Sequence, residues 1–155
     1  MIFYNILGKK GSISEKRCTF VVYYEHLYSV MRVRHQIDAE QLAALVAGTM
    51  DEAKGKEIVT LDLREITEAV TDYFVICHAA SKVQVDAIAD KIIDNVLEKT
   101  GLKPYHVEGR ENTEWILIDF VDVVVHVFLQ SKRDFYKLEE LWADAERIVR
   151  DNEDE

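Results

Sequence analysis

The fold is decided by residues 73–100, which read YFVICHAASKVQVDAIADKIIDNVLEKT. The first five residues of this stretch are continuously apolar, which is typical of a short strand covered on both faces. Ser81 is a suitable helix N-cap, and the apolar residues after it recur at helical spacing on one stripe. The stripe consists of Val85, Ile88, Ala89, Ile92, Ile93, Val96 and Leu97. Gly101 and Pro104 then end the helix, so the stretch predicts a buried strand followed by an amphipathic helix.

The sequence on either side extends this unit into a sheet. Asp38 can cap a helix that ends before Gly55. Residues 57–63 alternate between two sets of side chains, as a strand with one buried face does. Residues 105–107 are a short return strand, which should complete a right-handed, parallel crossover with residues 73–77.

The C-terminal part predicts a hairpin followed by a helix. Residues 115–120 and 123–128 are apolar strands, and the short linker between them favours an antiparallel hairpin. A final helix is expected from about residue 132 to residue 149. One side of it would carry Phe135, Leu138, Leu141, Trp142, Ala145 and Ile148, with Trp142 in the core. The predicted fold is therefore α/β, a mixed β-sheet of about five strands with helices packed on it.

Charge divides the chain of 155 residues, whose net charge is −10. Residues 1–36 hold six lysines or arginines and two acids, whereas residues 37–155 hold 13 lysines or arginines and 27 acids. We therefore predict an extension over residues 1–36, a domain over residues 37–150 and a solvated acidic tail over residues 151–155. Met31 is an alternative translation start, and the competing interpretation of the extension is a genuine strand or arm. The acidic balance argues against general phosphate-backbone binding and fits a basic protein partner.

Motifs for metal or nucleotide binding are absent from the sequence. The histidines and cysteines form no HxH, HExxH or CxxC spacing, and neither GxGxxG nor GxxxxGK[ST] occurs. Cys77 is predicted to be a small buried hydrophobe, and His126, between valines, a hydrogen-bonded core histidine. Ser81 is interpreted as a helix cap in preference to a phosphate site. No apolar run has the length of a membrane span, so we expect a reduced, cytoplasmic protein without a cofactor.

Residues 115–122 leave two alternatives open. Asp119 and Asp122 flank the predicted hairpin turn, where they either hold Mg²⁺ or, as we favour, hydrogen-bond the turn backbone. Trp115 opens a strand directly after a charged loop. It is either a binding anchor, since tryptophan contributes strongly to many interfaces, or a residue that closes the edge of the core.

Three stretches, in their order and spacing, resemble the Iojap/RsfS family of ribosome silencing factors. They are residues 70–77 (VTDYFVIC) with the helix start at 81–90, residues 107–109 with 114–128 (EWILIDFVDVVVHVF), and residues 135–145 (FYKLEELWADA). The resemblance covers roughly residues 37–146. It departs from the family at Val121, where many members have glycine, and over residues 1–36, which have no counterpart.

The resemblance implies a translational repressor and not an enzyme. Members of the family bind the large ribosomal subunit through its protein fourteen, which blocks joining with the small subunit when nutrients are scarce. It also implies a nucleotidyltransferase-like core without catalytic residues. The expected partner-binding residues are Glu108, Trp115, Ile116, Asp119, Phe120 and Asp122.

Two other functions and one assembly are compatible with the sequence. A nucleotidyltransferase-like enzyme would use Asp119 and Asp122 with Mg²⁺, and the missing glycine-rich phosphate loop weighs against it. An RNA-binding module would use the basic residues of the extension over 1–36. A homodimer through an exposed sheet edge or the terminal helix is also open.

Overall fold

The computed structural model describes residues 37–150. The predicted extension over 1–36, with the alternative start at Met31, and the predicted tail over 151–155 lie outside the described residues. The described residues form, in chain order, α1 (Ala39–Glu52), β1 (Lys56–Asp62), β2 (Tyr73–Ala79), α2 (Lys82–Thr100), β3 (His106–Glu108), β4 (Trp115–Asp119), β5 (Val123–Leu129), α3 (Gln130–Tyr136), α4 (Leu138–Leu141) and β6 (Glu146–Arg150). No helix among them is long and apolar enough to cross a membrane.

The strands form one six-stranded sheet in the order β3-β4-β5-β2-β1-β6. The central pair, β2 and β5, is parallel, and every other neighbouring pair is antiparallel. The predicted α/β class with a mixed sheet is confirmed, as is the hairpin between β4 and β5. The return strand β3 runs parallel to β2, as expected, but β4 and β5 lie between the two.

The strand and helix that decide the fold form as predicted. Every residue of β2 is buried, which explains the continuous apolar run. The Ser81 side chain accepts a hydrogen bond from the backbone N–H of Gln84 and caps α2. Gly101 ends the helix in the left-handed conformation, at φ 74°, and its N–H bonds to the carbonyl of Leu97. Cys77 is a buried free thiol, and burial raises its pKa to about 12.

Helices α1 and α2 cover one face of the sheet, where the main core lies. From the sheet this core contains Ile58, Tyr73, Val75, Cys77, Ala79, Ile116, Ile118, Phe120, Val123, Val125 and Val127. These residues alternate along their strands, so the intervening side chains point to the opposite face. The Asp38 side chain caps α1 by accepting the N–H of Gln41, as predicted.

The opposite face of the sheet is covered by residues after β5. The ring of Trp142 meets Phe74 edge to face, with centroids 5.4 Å apart, and Leu138 is fully buried. The predicted core position of Trp142 is therefore confirmed. The same C-terminal segment supplies Tyr136, whose ring lies 4.9 Å from that of Trp115.

Arg133 fastens this segment to the sheet. Its guanidinium is buried, with 6% of the residue exposed, and donates to the carbonyl of Glu57 at 2.7 Å. It also donates to the carboxylate of Glu139 at 2.9 and 2.5 Å and lies 3.1 Å from Nδ1 of His78. Burial, and then the nearby guanidinium, lower the pKa of His78. A buried charge is tolerated only when it is paired and hydrogen-bonded, and Arg133 meets both conditions.

The predicted helix over residues 132–149 is wrong. Helix α3 ends at Lys137, where φ is 47°, α4 spans only Leu138–Leu141, and Glu146–Arg150 form β6, which pairs antiparallel with β1. Ile148, opposite Thr60, and Val149 are β-branched and suit a strand, and β1 offers them its free backbone groups. Phe135 is consequently 77% exposed and lies on no buried stripe.

Candidate functional site

Trp115 lies at the start of β4, on the face opposite α1 and α2. Its ring stacks on Phe128 with centroids 4.7 Å apart and touches Tyr136 at 4.9 Å. Its indole N–H donates to Nδ1 of His126 at 3.1 Å. Only 8% of the residue is exposed. Trp115 therefore closes the edge of this part of the core and presents a narrow rim to solvent.

His126 sits beneath Trp115 and is completely buried. Because Nδ1 accepts the indole N–H, the neutral ring carries its proton on Nε2, which has no hydrogen-bond partner among the described residues. Burial lowers the pKa of His126 to about 3, so the ring stays neutral at physiological pH. The prediction of a hydrogen-bonded core histidine is confirmed.

Gly109 lets the loop before β4 pass close to the strand. Its φ is 87°, and a Cβ there would overlap the carbonyl oxygen of Trp115, so no other residue fits. Arg110 then ties this loop to α2, with ion pairs of 2.7 Å to both Asp86 and Asp90. The loop therefore fixes the point at which Trp115 enters the sheet.

Glu114, directly before Trp115, joins the starts of two helices. Its carboxylate lies 3.0 Å from Nζ of Lys82 in α2 and 3.0 Å from Nζ of Lys132 in α3. These hydrogen bonds lower the pKa of Glu114. The pairs are largely exposed and contribute little stability, but they keep α3, and with it Tyr136, beside the tryptophan.

The other end of β4 is a strained turn. Asp119 is buried, and its Oδ1 accepts the N–H of Val121 at 2.7 Å. Val121 has φ 79°, and the N–H of Asp122 donates to the carbonyl of Phe120 at 3.1 Å, which makes a three-residue turn. Such a turn with positive central φ is rare, and a β-branched residue in it is strained. Glycine would suit this position better than valine does.

The turn is held against β2 from outside the hairpin. The hydroxyl of Thr71 donates to the carbonyl of Val121 at 3.1 Å. The N–H groups of Asp72 and Tyr73 donate to the carbonyl of Asp122, at 3.0 and 3.1 Å. These contacts hold the backbone of the turn in place, and the strained conformation at Val121 persists because of them.

The carboxylate of Asp119 serves the turn, the role we favoured from the sequence. Burial raises its pKa, and the N–H of Val121 opposes that change. Within residues 37–150 no cluster of three or more His, Cys, Asp or Glu side chains could hold a metal ion. The basic extension proposed for RNA binding lies outside the described residues.

The six expected partner-binding residues separate between the two faces of the sheet. Trp115, Asp119 and Glu108 share the face opposite α1 and α2, with Glu108 placed beside Leu117 and 2.9 Å from the ring of His106. Asp122 is half-buried in the turn.

Ile116 and Phe120, by contrast, belong to the core beneath the helices. Ile116 is 0% exposed and offers no surface to a partner. Side chains alternate along β4, so neighbours of Trp115 in sequence cannot share its face.

Sequence reasoning missed Tyr136 and Phe135. Tyr136 touches Trp115, and the exposed ring of Phe135 meets Tyr136 edge to face at 5.1 Å. The predicted core stripe of a long helix includes Phe135, which concealed the exposure of its ring, and it assigns no role to Tyr136. The short helix α3, ended by the left-handed Lys137, is the feature that turns Phe135 outward.

Known proteins are similar to this chain in sequence and in fold. A family profile described as "Ribosomal silencing factor during starvation" (RsfS) matches residues 36–155. The chain belongs to the RsfS family. The ribosomal silencing factor RsfS of Halalkalibacterium halodurans is 38% identical over 109 residues, which are 70% of this chain and 92% of that protein. A crystal structure of a protein from Chromobacterium violaceum is 33% identical with a TM-score of 0.65, covering 69% of this chain and 88% of that one.

A plant relative extends the range of the family. Protein Iojap of Zea mays, which is chloroplastic, is 40% identical over 113 residues, or 72% of this chain and 48% of that protein. This chain is therefore a ribosomal silencing factor by family, and the similarity covers the sheet and both faces described above.

Proposed function

We propose that this protein represses translation by binding the large ribosomal subunit through its protein fourteen and blocking joining with the small subunit under nutrient limitation. Its membership of the RsfS family supports this function. The mechanism needs only a docked protein of sufficient bulk, and it requires no catalytic group. It would operate in the cytoplasm, where the large subunit is free before initiation.

We infer the position of the binding surface from a row of aromatic rings, the aromatic row, which runs outward from Trp115. Trp115 contacts Tyr136, Tyr136 contacts Phe135, and Phe135 is 77% exposed. Large aromatic residues supply much of the energy of protein interfaces when they rest on a rigid base. The base here is the packed pair of Trp115 and Phe128, so little ordering is needed on binding.

Charge supports a basic partner for this surface. Residues 37–150 contain 23 acids and 13 lysines or arginines. Glu108 lies on the edge strand β3, and Asp122 lies in the turn between β4 and β5. Complementary charge speeds encounter and selects the orientation, while the aromatic residues supply the energy of the bound state.

The test is co-sedimentation of the full chain with separated ribosomal subunits, followed by a subunit-joining assay. We expect the protein to migrate with the large subunit alone and to reduce the amount of joined ribosome. If the protein stays at the top of the gradient with either subunit, the proposed function is wrong.

Phe135→Ser is the variant that locates the surface. Because Phe135 is exposed, its replacement should leave the free energy of unfolding nearly unchanged while weakening large-subunit binding about tenfold or more. Leu97→Ser is the matched control, since Leu97 is 39% exposed on α2, which covers the other face of the sheet. If the two variants bind the large subunit with equal affinity, the aromatic row is not part of the interface.

Trp115→Ala tests the anchor itself. We expect binding to fall by about 2 kcal/mol or more. The variant also loses the ring contacts with Phe128 and Tyr136, so its unfolding must be measured in parallel. Normal co-sedimentation of a folded Trp115→Ala protein would exclude Trp115 as an anchor.

A further inference from the structure

Glu114, the residue before Trp115, contacts the start of α3 in two ways. Its backbone carbonyl accepts a hydrogen bond of 2.7 Å from the N–H of Leu129, the residue that precedes α3. Its carboxylate pairs with Nζ of Lys132, in the first turn of that helix, at 3.0 Å. Leu129 has no polar side-chain group with which to cap α3, so the two contacts with Glu114 fix the point at which the helix begins.

The same carboxylate also holds the start of α2. Its other oxygen lies 3.0 Å from Nζ of Lys82, the first residue of α2. A positive charge is unfavourable at the N-terminus of a helix, because the end of the helix dipole there is itself positive. One carboxylate therefore balances a lysine at the start of each of two helices. We call the side chains of Glu114, Lys82 and Lys132 the Glu114 bridge.

The Glu114 bridge holds the side of α3 that carries the aromatic row. Residues three and four positions apart are neighbours on the surface of a helix, so Lys132 lies beside both Phe135 and Tyr136. Arg133 fastens the buried side of the same helix to β1. Without the bridge, α3 would keep its attachment through Arg133 but lose a contact that sets how the helix is turned about its axis.

We propose that Glu114 is a positioning residue for binding of the large ribosomal subunit, because the Glu114 bridge holds Tyr136 and Phe135 in the orientation that binds. This inference rests on the proposed function and adds to it a residue that the partner need not touch. When the binding orientation of α3 is populated for only part of the time, the observed affinity falls by that fraction. The two lysine side chains are 51% and 38% exposed, and ion pairs as exposed as these contribute little to folding. Loss of the bridge should therefore weaken binding while the free energy of unfolding changes little.

The test measures the affinity of the full chain and its variants for purified large subunits by co-sedimentation. Glu114→Gln keeps the shape of the side chain and removes its charge, and it should raise the dissociation constant about fivefold. Glu111→Gln is the matched control, because it removes the same charge from an exposed position in the same loop. The control should bind as tightly as the original chain.

An exchange of charges separates positioning from direct contact with the partner. The triple variant Glu114→Lys/Lys82→Glu/Lys132→Glu reverses all three charges and restores both pairs. It should bind within about twofold of the original chain, whereas Glu114→Lys alone should bind about tenfold more weakly or worse. If a basic partner touches the carboxylate of Glu114 directly, a lysine there repels that partner, and the triple variant binds no better than Glu114→Lys. That result would overturn the proposal.

The free protein gives a second measurement that does not involve the ribosome. The rings of Tyr136 and Trp115 lie 4.9 Å apart, so nuclear Overhauser effects between them report the position of α3. These effects should weaken in Glu114→Gln and return in the triple variant, and the proposal is wrong if they do not change. If the original chain binds the large subunit and Glu114→Gln binds equally well, this inference fails and the proposed function stands. If the original chain does not bind, both fail.

Discussion

Val121→Gly should stabilise the protein or leave its stability unchanged, which is the reverse of the usual effect of replacing valine by glycine. Val121 is the central residue of the turn between β4 and β5, with φ 79°. This backbone region disfavours residues with a Cβ, and a β-branched side chain most of all. The substitution removes that strain while keeping the hydrogen bonds from Asp122 and Thr71, which use backbone carbonyls.

The magnitude follows from three opposing effects. Release of a residue from a sparsely populated φ,ψ region contributes about 1–3 kcal/mol. Glycine costs about 0.5–1 kcal/mol in additional backbone entropy. Loss of the half-buried valine side chain costs roughly 0.8 kcal/mol, half the value for full burial. The three effects together range from a loss of about 0.8 to a gain of about 1.7 kcal/mol, and their midpoints give a net gain of about 0.5 kcal/mol.

The assay is urea unfolding of Val121→Gly and Val121→Ala, followed by tryptophan fluorescence. Alanine loses the same methyl groups but keeps the Cβ, so glycine should be the more stable of the two by about 1–2 kcal/mol. Val123, two residues later in β5 and without positive φ, is the matched site, where alanine should exceed glycine. If alanine is also the more stable residue at position 121, strain at the turn is the wrong explanation.

Three further substitutions test the packing beneath the candidate surface. Arg133→Met should destabilise the fold by about 3 kcal/mol, because it leaves the partly buried Glu139 unpaired. In urea unfolding, the double variant Arg133→Met/Glu139→Leu should recover part of that loss, because it removes the unpaired carboxylate. Because burial lowers the pKa of His126 in the folded protein, the unfolded chain takes up a proton at this histidine at a higher pH than the folded protein does. As the pH falls from 7 to 5, the free energy of unfolding should therefore decrease by about 2 kcal/mol. His126→Asn should flatten that pH dependence, and an unchanged slope would place its origin in another group. Gly109→Ala should lower the free energy of unfolding by about 2 kcal/mol or more, because its Cβ would meet a backbone carbonyl of β4. Gly48→Ala, whose Cβ would make an ordinary 3.6 Å contact in α1, is the control and should be tolerated when both variants are compared by thermal unfolding.

The elements that could be predicted from the sequence are those whose signals are local. Ser81 and Gly101 mark the ends of α2 by the backbone chemistry of helix termini, and the structure places both as expected. The continuous apolar run of β2 indicates burial on both faces wherever the strand lies in the sheet. These signals do not depend on which strands become neighbours.

The C-terminal segment could not be predicted in this way, because its structure depends on distant partners. Residues 132–149 carry a helical spacing of apolar side chains, yet Ile148 and Val149 pair with β1, more than eighty residues earlier in the chain. A strand that completes a sheet gains hydrogen bonds that no local pattern contains. The exposure of Phe135 follows from the same change, so the error in the helix hid a residue of the candidate surface.

The two interpretations of Trp115 left open by its sequence are compatible with one another. Its stacking on Phe128 and its hydrogen bond to His126 fix the indole in one orientation, as a core residue requires. An interface residue benefits from the same rigidity, because a ring that is already ordered loses little entropy when a partner arrives. Phe135 has the opposite character, with an exposed ring and little effect on folding. Binding energy and folding energy should therefore separate along the aromatic row, with folding dominant at Trp115 and binding dominant at Phe135.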